Sequence, residues 1–283
     1  MGHESVPLSC QACAKINLTF EVTGKRDDGY HEVVSVMQAV SLCDVLSFEP
    51  HDSLYLACNI PELVSPGNLA FKAARLMQSL AGSDYGVAIS LDKGIPLAGG
   101  LGGGSSDAAA VLRTINDLWG LHLPPERLLE VAAGLGSDVP FFCCGSTTAL
   151  AQGRGEKVTA LPAVPRTWIV LLVPPIRVAE KTRRMYACLD SSRFTRGEYA
   201  RGMLDLINRG ERVASELCYN VFDDIGSGFF PGLDRYTRSF RKAGATEVHL
   251  AGAGPVLFAV ADDRWQGLRI CDNLKKERME SYL

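Results

Sequence analysis

Between Pro96 and Asp107 the chain reads Pro-Leu-Ala-Gly-Gly-Leu-Gly-Gly-Gly-Ser-Ser-Asp, and an apolar helical pattern from Ala108 to Ile115 follows without a break. Five of these residues are glycines. They leave no side chains between backbone and ligand, and they permit positive φ, so that successive N–H groups can converge on one anion. Ser105, Ser106 and Asp107 are expected to cap a helix whose positive end faces the same space. A ligand-free connector can have the same composition. The length of the stretch, its two hydroxyls and the unbroken helix behind it favour a phosphate cradle formed by Pro96, Leu97, Ala98, Gly99, Gly100, Leu101, Gly102, Gly103, Gly104, Ser105 and Ser106.

Two common nucleotide loops are excluded by missing parts. No Lys-Ser or Lys-Thr follows the glycines, so a P-loop would lack its lysine. The spacing Gly100, Gly102, Ser105 lacks the third glycine of the dinucleotide fingerprint.

With 283 residues, 47% hydrophobic and 22% charged, the chain suits a soluble globular protein with one large core or, as preferred here, two modest ones. A net charge of −3 with dispersed basic residues offers no nucleic-acid footprint. No apolar run reaches membrane-spanning length, and the N-terminus has no signal-peptide pattern, which predicts a cytoplasmic protein without a membrane partner. The nine cysteines lie among apolar neighbours without metal spacing and are expected to be reduced. Cys10-Gln11-Ala12-Cys13 is read as neither a metal nor a redox centre.

Alternation from Ala14 to Val22 predicts a strand with Lys15, Asn17 and Thr19 on one face. Further strands are expected through Phe48, from Ser53 to Ile60 and from Gly86 to Asp92. Helices are expected over Asn68–Leu80, Ser105–Trp119 and Pro125–Leu135, with strand-like chain after Phe142 to about Leu161. Leu161-Pro162-Ala163-Val164-Pro165 marks a passage between domains 1–162 and 163–283. The second domain has a buried strand at Trp168–Val173 and helices around 181–189, 196–209 and 231–243. Gly252-Ala253-Gly254-Pro255 forms a turn between apolar strands. It is either a plain hairpin or a second backbone approach to the phosphates.

A lysine inside an apolar strand and an aspartate before Val139-Pro140-Phe141-Phe142 are each explicable structurally, as an edge residue and a cap. Combined with a phosphate cradle they make a phosphoryl-transfer set. Asp138 can take the proton of an attacking hydroxyl, and Lys15 can keep that carboxylate ionised. Tyr30 and His31, in a turn-rich segment, suit stacking on a nucleobase and hydrogen bonding to its edge.

Ala14-Lys15-Ile16-Asn17-Leu18, the glycine stretch, Gly136-Ser137-Asp138-Val139-Pro140 and Gly252-Ala253-Gly254-Pro255, in that order, resemble the GHMP kinases. Gly29-Tyr30-His31, Asn68-Leu69 and Asp92-Lys93-Gly94-Ile95-Pro96 resemble the branch acting on a cytidine-diphosphate-linked methylerythritol in the non-mevalonate route to isoprenoids. The resemblance implies a two-lobed α+β fold with the active site in the cleft between lobes. It also implies ATP-dependent phosphorylation of the acceptor's 2-hydroxyl, with Asp138 as base and Lys15 as its charge partner. By the same resemblance Asn17 would contact the methylerythritol, Tyr30 would stack on cytosine and His31 would hydrogen-bond it. Asn68 and Lys93 would help hold ATP, and Thr182 and Tyr186 would close the cytidine side. Mg2+ is expected with ATP, and no residue is assigned to it. The sequence departs from the family pattern at Ala98, commonly glycine, and Ala253, commonly serine. Another kinase of the family, acting on mevalonate, homoserine or a sugar, and a non-catalytic ligand sensor remain the alternative readings.

Overall fold

The computed structural model describes residues 8–82 and 85–283, which group into two compact units made of interleaved segments. The first comprises the chain up to Ala14, Ser41–Ile95 and Gly102–Gly145, and the second Lys15–Val40, Pro96–Leu101 and Ser146–Leu283. Strands β1 (Leu8–Lys25) and β2 (His31–Pro50) are long enough that each contributes to both.

In the first unit, β2 pairs antiparallel with β4 (Val87–Asp92) from Val45↔Asp92 to Pro50↔Val87. On its other edge β4 takes β3 (Leu54–Cys58) in parallel, Leu54 facing Val87 and Cys58 facing Leu91. Period-two alternation buries Val87, Ile89 and Leu91 while Ser90 and Asp92 stay exposed. Helix α1 (Leu69–Ala81) packs on α2 (Gly103–Leu118), and both bury small residues: Ala70, Ala73 and Ala74 on one, Ala108, Ala109 and Ala110 on the other. Alanine favours the helical backbone and lets two axes approach closely. Helix α3 (Pro125–Leu135) starts on a proline, whose fixed φ suits a first turn.

Residues 136–142, to which the sequence assigned no element, lead into and form most of a short helix, α4 (Val139–Cys143). Packing of the buried Val139, Pro140 and Phe141 against α2 and α3 decided the outcome. The thiol expectation is also corrected, because Cys13 and Cys43 are joined in a disulfide with their Cα atoms 3.9 Å apart. They lie on β1 and β2, neighbours in the sheet order, a pairing that a separation of 30 residues does not reveal.

In the second unit the first part of β2 pairs antiparallel with β5 (Thr148–Gly153), which pairs with β6 (Lys157–Ala160). Strand β8 (Tyr219–Asn220) lies parallel to β1 through Thr19↔Tyr219 and Phe20↔Asn220. Residues 161–167 carry no regular structure. A separate antiparallel sheet runs in the order β11 (Glu280–Tyr282), β7 (Trp168–Val173), β10 (Leu257–Ala261), β9 (His249–Leu250). Its core includes Val170, Leu172, Phe230, Phe240, Leu250, Leu257 and Ile270, all nearly inaccessible. Helices α5 (Lys181–Ala187), α6 (Glu198–Asn208) and α8 (Leu233–Ala243) fall where the periodicity predicts them. Two further helices, α7 (Asp223–Phe229) and α9 (Arg264–Lys276), escaped it. The first holds two glycines among seven residues, and the second presents many charged positions. Asp263 caps α9 by accepting the Gln266 N–H at 2.8 Å. No helix of the described residues is long and apolar enough to cross a membrane.

Ala109 is fully buried where α2 meets its neighbours. Ala109→Leu should overfill that packing and cost about 1–3 kcal/mol in urea unfolding.

Candidate active site

In the second unit, β1 presents a polar face to the interior. Lys15, Asn17, Thr19 and Glu21 are all nearly inaccessible. Buried polar atoms cost free energy unless paired, and the strand's neighbours supply partners. Lys15 Nζ donates to Asn17 Oδ1 at 2.9 Å, Asn17 Nδ2 to Ser35 Oγ at 2.7 Å, and Ser35 Oγ to the Thr19 carbonyl at 2.6 Å. The Thr19 hydroxyl accepts the Val36 N–H at 3.0 Å. One N–H and one lone pair of Asn17 are left over by these bonds, so the side chain keeps capacity for a ligand. Glu21 accepts the Ala200 N–H at 2.7 Å, and its second oxygen has no partner among the described residues.

The beginning of the glycine stretch is held by backbone contacts to the same unit. The Lys15 N–H donates to the Leu101 carbonyl at 2.9 Å, and the Val256 N–H to the Gly99 carbonyl at 3.2 Å. At Gly100, with φ +90°, an added Cβ would fall 1.9 Å from the Ala251 carbonyl oxygen. At Gly252 it would fall 3.1 Å from the Gly100 oxygen, 3.3 Å from Lys15 Nζ and 3.4 Å from Asn17 Oδ1. Lys15, Asn17, Gly100 and the turn after β9 therefore converge. The hairpin reading of Gly252–Pro255 is incomplete, since this turn also docks on the glycine stretch.

Sequence reading missed what holds that turn. Asn220 is buried and donates to both the Leu250 and Gly252 carbonyls at 2.8 Å, while its Oδ1 accepts the Phe222 N–H at 2.9 Å. Lys181 Nζ donates to the Gly254 carbonyl, so this lysine also serves the turn. The available signal for Asn220 was the one used for Lys15, a polar residue flanked by Tyr219, Val221 and Phe222.

The remaining glycines belong to the first unit, where α2 begins at Gly103 behind Gly102 at φ 73°. This corrects the expected start at Ser105. Ser105, Ser106 and Asp107 lie inside the helix, and Gly102, at the cap position, has no side chain to bond back. The first-turn N–H groups are therefore not used by a side-chain cap, as an anion cradle requires. Leu69, first residue of α1, lies next to Gly104, as an added Cβ there would be 3.7 Å from Leu69 Cδ1. Asn68 caps α1, accepting the Ala70 N–H at 2.9 Å and donating to the Leu63 carbonyl at 3.0 Å.

Lys93 is more committed than its predicted nucleotide role suggests. Its ammonium, with a side chain 3% exposed, pairs with Asp44 and, at 2.7 Å, with Asp107. Asp44 also accepts the N–H groups of Gly94 at 2.7 Å and Ile95 at 2.8 Å. Burial pushes the Asp107 carboxyl up to about 7, against Lys93 and reinforced by Asp44. Asp44 was not singled out from sequence, and Asp107 was read only as a helix cap.

Asp138 follows Gly136 and Ser137 and occupies the position before α4, where its carboxylate does not turn back to cap the helix. Pro140 lies in the first turn, and the apolar residues after it are buried, so the aspartate is fixed by the packing of its successors.

The predicted base-recognition residues fall together in part. The His31 ring stacks on Tyr186, centroids 5.0 Å apart at 23°, with Phe194 edge-on at 6.0 Å. Tyr186 in turn meets Phe222 edge-to-face at 5.2 Å. Burial, and then Lys25, lower the His31 pKa, which favours the neutral ring with one donor and one acceptor. Tyr30 is 56% exposed, and the Arg154 guanidinium lies 5.0 Å over its ring. Thr182 is exposed on the first turn of α5.

Comparison with known proteins adds independent findings. Residues 68–146 match the model of the GHMP kinases N terminal domain. A 4-diphosphocytidyl-2-C-methyl-D-erythritol kinase of Dehalococcoides mccartyi is 43% identical over 277 residues, covering 98% of this chain and 97% of the relative. One from Caldicellulosiruptor saccharolyticus is 37% identical over 270 residues, covering 94% and 92%. A crystal structure of 4-(cytidine 5'-diphospho)-2C-methyl-D-erythritol kinase superposes with TM-score 0.83 at 33% identity, covering 97% of each chain. A homoserine kinase from Cytophaga hutchinsonii shares the fold, with TM-score 0.72 at 16% identity over 100% of this chain and 95% of the other.

Two neighbouring positions of the glycine stretch should respond oppositely. Ala98 has φ 56°, so Ala98→Gly should relieve strain and change the melting temperature by the equivalent of about 1 kcal/mol or less, upward. Gly100→Ala must displace the Ala251 carbonyl and should cost about 3 kcal/mol or more by the same measurement.

Proposed function

The chain belongs to the 4-diphosphocytidyl-2-C-methyl-D-erythritol kinase family, and on that premise we propose that it transfers the terminal phosphoryl group of ATP to the 2-hydroxyl of 4-diphosphocytidyl-2-C-methyl-D-erythritol. The observation that carries the reading is the convergence of Lys15, Asn17, Gly100 and Gly252 within a few ångströms. A fixed cation and an amide beside a backbone cradle are what a phosphoryl acceptor requires. ATP fits the residues present, because the first turn of α2 has no side-chain cap and leaves its N–H groups for a polyphosphate.

Phosphoryl transfer leaves the protein little covalent chemistry to do and depends on positioning and electrostatics. Asp138 is assigned the base that takes the acceptor's hydroxyl proton. Lys15 is assigned to favour the ionised carboxylate and offset charge on the attacking oxygen. Asn17 orients the methylerythritol with its remaining donor and acceptor. Residues 96–106 hold the polyphosphate, and Asn68 and Lys93 border the nucleotide. Tyr30 stacks on cytosine, neutral His31 pairs with its edge, and Thr182 and Tyr186 complete the cytidine side. Magnesium accompanies ATP in this reading, without an assigned protein ligand, and the reaction takes place in the cytoplasm.

The test is ADP release by purified protein with Mg–ATP, comparing the cytidine-linked acceptor with mevalonate, homoserine and galactose. Turnover with the cytidine compound alone is expected. Preference for another acceptor would overturn the assignments of Tyr30 and His31, and silence with all four would leave a ligand sensor. Asp138→Ala should lower kcat by ~10²-fold or more with ADP affinity retained in calorimetry. Tyr30→Ala should raise KM for the acceptor about tenfold with kcat little changed, the scale of one lost base stack.

A further inference from the structure

The Lys93 ammonium joins three parts of the first unit. It meets Asp44 on β2, belongs to the chain that leaves β4 for the glycine stretch, and reaches Asp107 one turn into α2. Asp44 fastens the same chain a second time through the Gly94 and Ile95 N–H groups. The start of α2 rests directly on this arrangement, since a Cβ on Gly103 would lie 3.2 Å from Ile95 Cγ2 and 3.3 Å from Lys93 Nζ. Both ends of the segment between Ile95 and Gly103 are thus tied to one buried cation. The charges do not balance, with two carboxylates facing one ammonium, and Asp107 Oδ1 is buried without a hydrogen-bond partner among the described residues.

We propose that Lys93 and Asp107 are positioning residues for the nucleotide. The ammonium holds the first turn of α2 against the chain entering the glycine stretch, and the charge on Asp107 sets how readily that helix end accepts a polyphosphate. The proposal rests on the reading of residues 96–106 as an ATP cradle. It replaces direct contact by Lys93 with an action through Asp107 and the helix. Two of the three ammonium N–H groups are already committed to carboxylates.

The charge argument has a direction. With Asp107 ionised, the cluster carries one net negative charge beside the helix end meant for an anion. With Asp107 protonated, Lys93 and Asp44 form a neutral pair and the repulsion is gone. Burial places this change close to neutral pH. Lys93 and Asp44 are the charged groups acting on it. On the helices packed around α2, Lys72 and Arg75 of α1 and Glu126, Arg127 and Glu130 of α3 are exposed. Asp138 lies at the start of α4, and Arg113 of α2 itself donates to the Phe142 carbonyl. Because the protonated form is favoured by nucleotide, affinity falls as pH rises through the Asp107 transition.

The experiment is calorimetric binding of Mg–ADP to the full chain at pH 6, 7 and 8, for wild type, Asp107→Asn and Lys93→Met. Ionisation of ADP itself is common to all three and cancels in the comparison. Wild-type Kd should weaken by up to about tenfold from pH 6 to 8 relative to Asp107→Asn, the limit for one linked proton whose transition lies near pH 7. Lys93→Met should raise Kd for ADP, and KM for ATP, at least several-fold while the acceptor KM stays within twofold. Asp107→Asn keeps the shape and an acceptor for Lys93, so its pH profile decides even where Lys93→Met fails to fold. Equal pH dependence in wild type and Asp107→Asn would overturn the proposal, as would equal effects of Lys93→Met on both substrates. ADP binding with the expected pH difference, but no turnover with any acceptor, would sink the assigned reaction and leave this inference standing.

Discussion

The Ala251 carbonyl oxygen stands where a side chain on residue 100 would begin. That approach fixes much else in the second unit. It demands glycine at position 100, and it needs a turn after β9 that places its carbonyls without relying on the glycine stretch itself. Asn220 meets the second demand with two donated hydrogen bonds, and Lys181 adds a third from α5. The stretch is then clasped from two directions, by Val256 at Gly99 and by Lys15 at Leu101. A segment so rich in glycine would lose much conformational freedom on binding a ligand if it were free. Here the ordering cost is met during folding, so less of the ligand's binding energy goes into ordering the loop.

The polar face of β1 follows the same logic with side chains. Placing Lys15, Asn17, Thr19 and Glu21 inside is unfavourable compared with an apolar strand, and the network through Ser35 offsets that only by consuming donors and acceptors in a fixed order. A solvated lysine would be hydrated and mobile. A buried one beside Asn17 has a defined position in a medium of low polarity, where its charge counts for more. In the first unit Lys93 repeats the device with carboxylates as partners, and the result concerns the placement of a helix end.

How much of this was legible in the sequence depended on whether a residue's role is local. The helices α1, α3, α5 and α6 and the strand Trp168–Val173 follow from periodicity, caps and prolines, which act within a few residues. Helix α4 does not, because five residues are too few for a periodic signal and it is fixed by packing on α2 and α3. The start of α2 was misplaced by two residues because serine and aspartate are frequent caps. The chain instead uses glycine at that position, which leaves the N–H groups uncovered. Lys15 and Asp138 stood out as charges in apolar surroundings. Asp44 and Asn220 had the same appearance, yet their partners are backbone groups and a lysine brought near by topology, which spacing does not encode. The bond between Cys13 and Cys43 was hidden for the same reason.

Acceptor choice cannot come from the scaffold, since a homoserine kinase at 16% identity has the same fold. It has to come from side chains added to it, and in the proposed reading these are aromatic and few. His31, Tyr186, Phe194 and Phe222 form a continuous stack and edge array in which each ring limits the rotation of the next. The imidazole is thereby held in one plane, and burial lowers its affinity for a second proton. A ring so held presents one donor and one acceptor in a defined direction. That is a demand for a complementary pair on a flat ligand edge, which a nucleobase offers and a small aliphatic acceptor lacks.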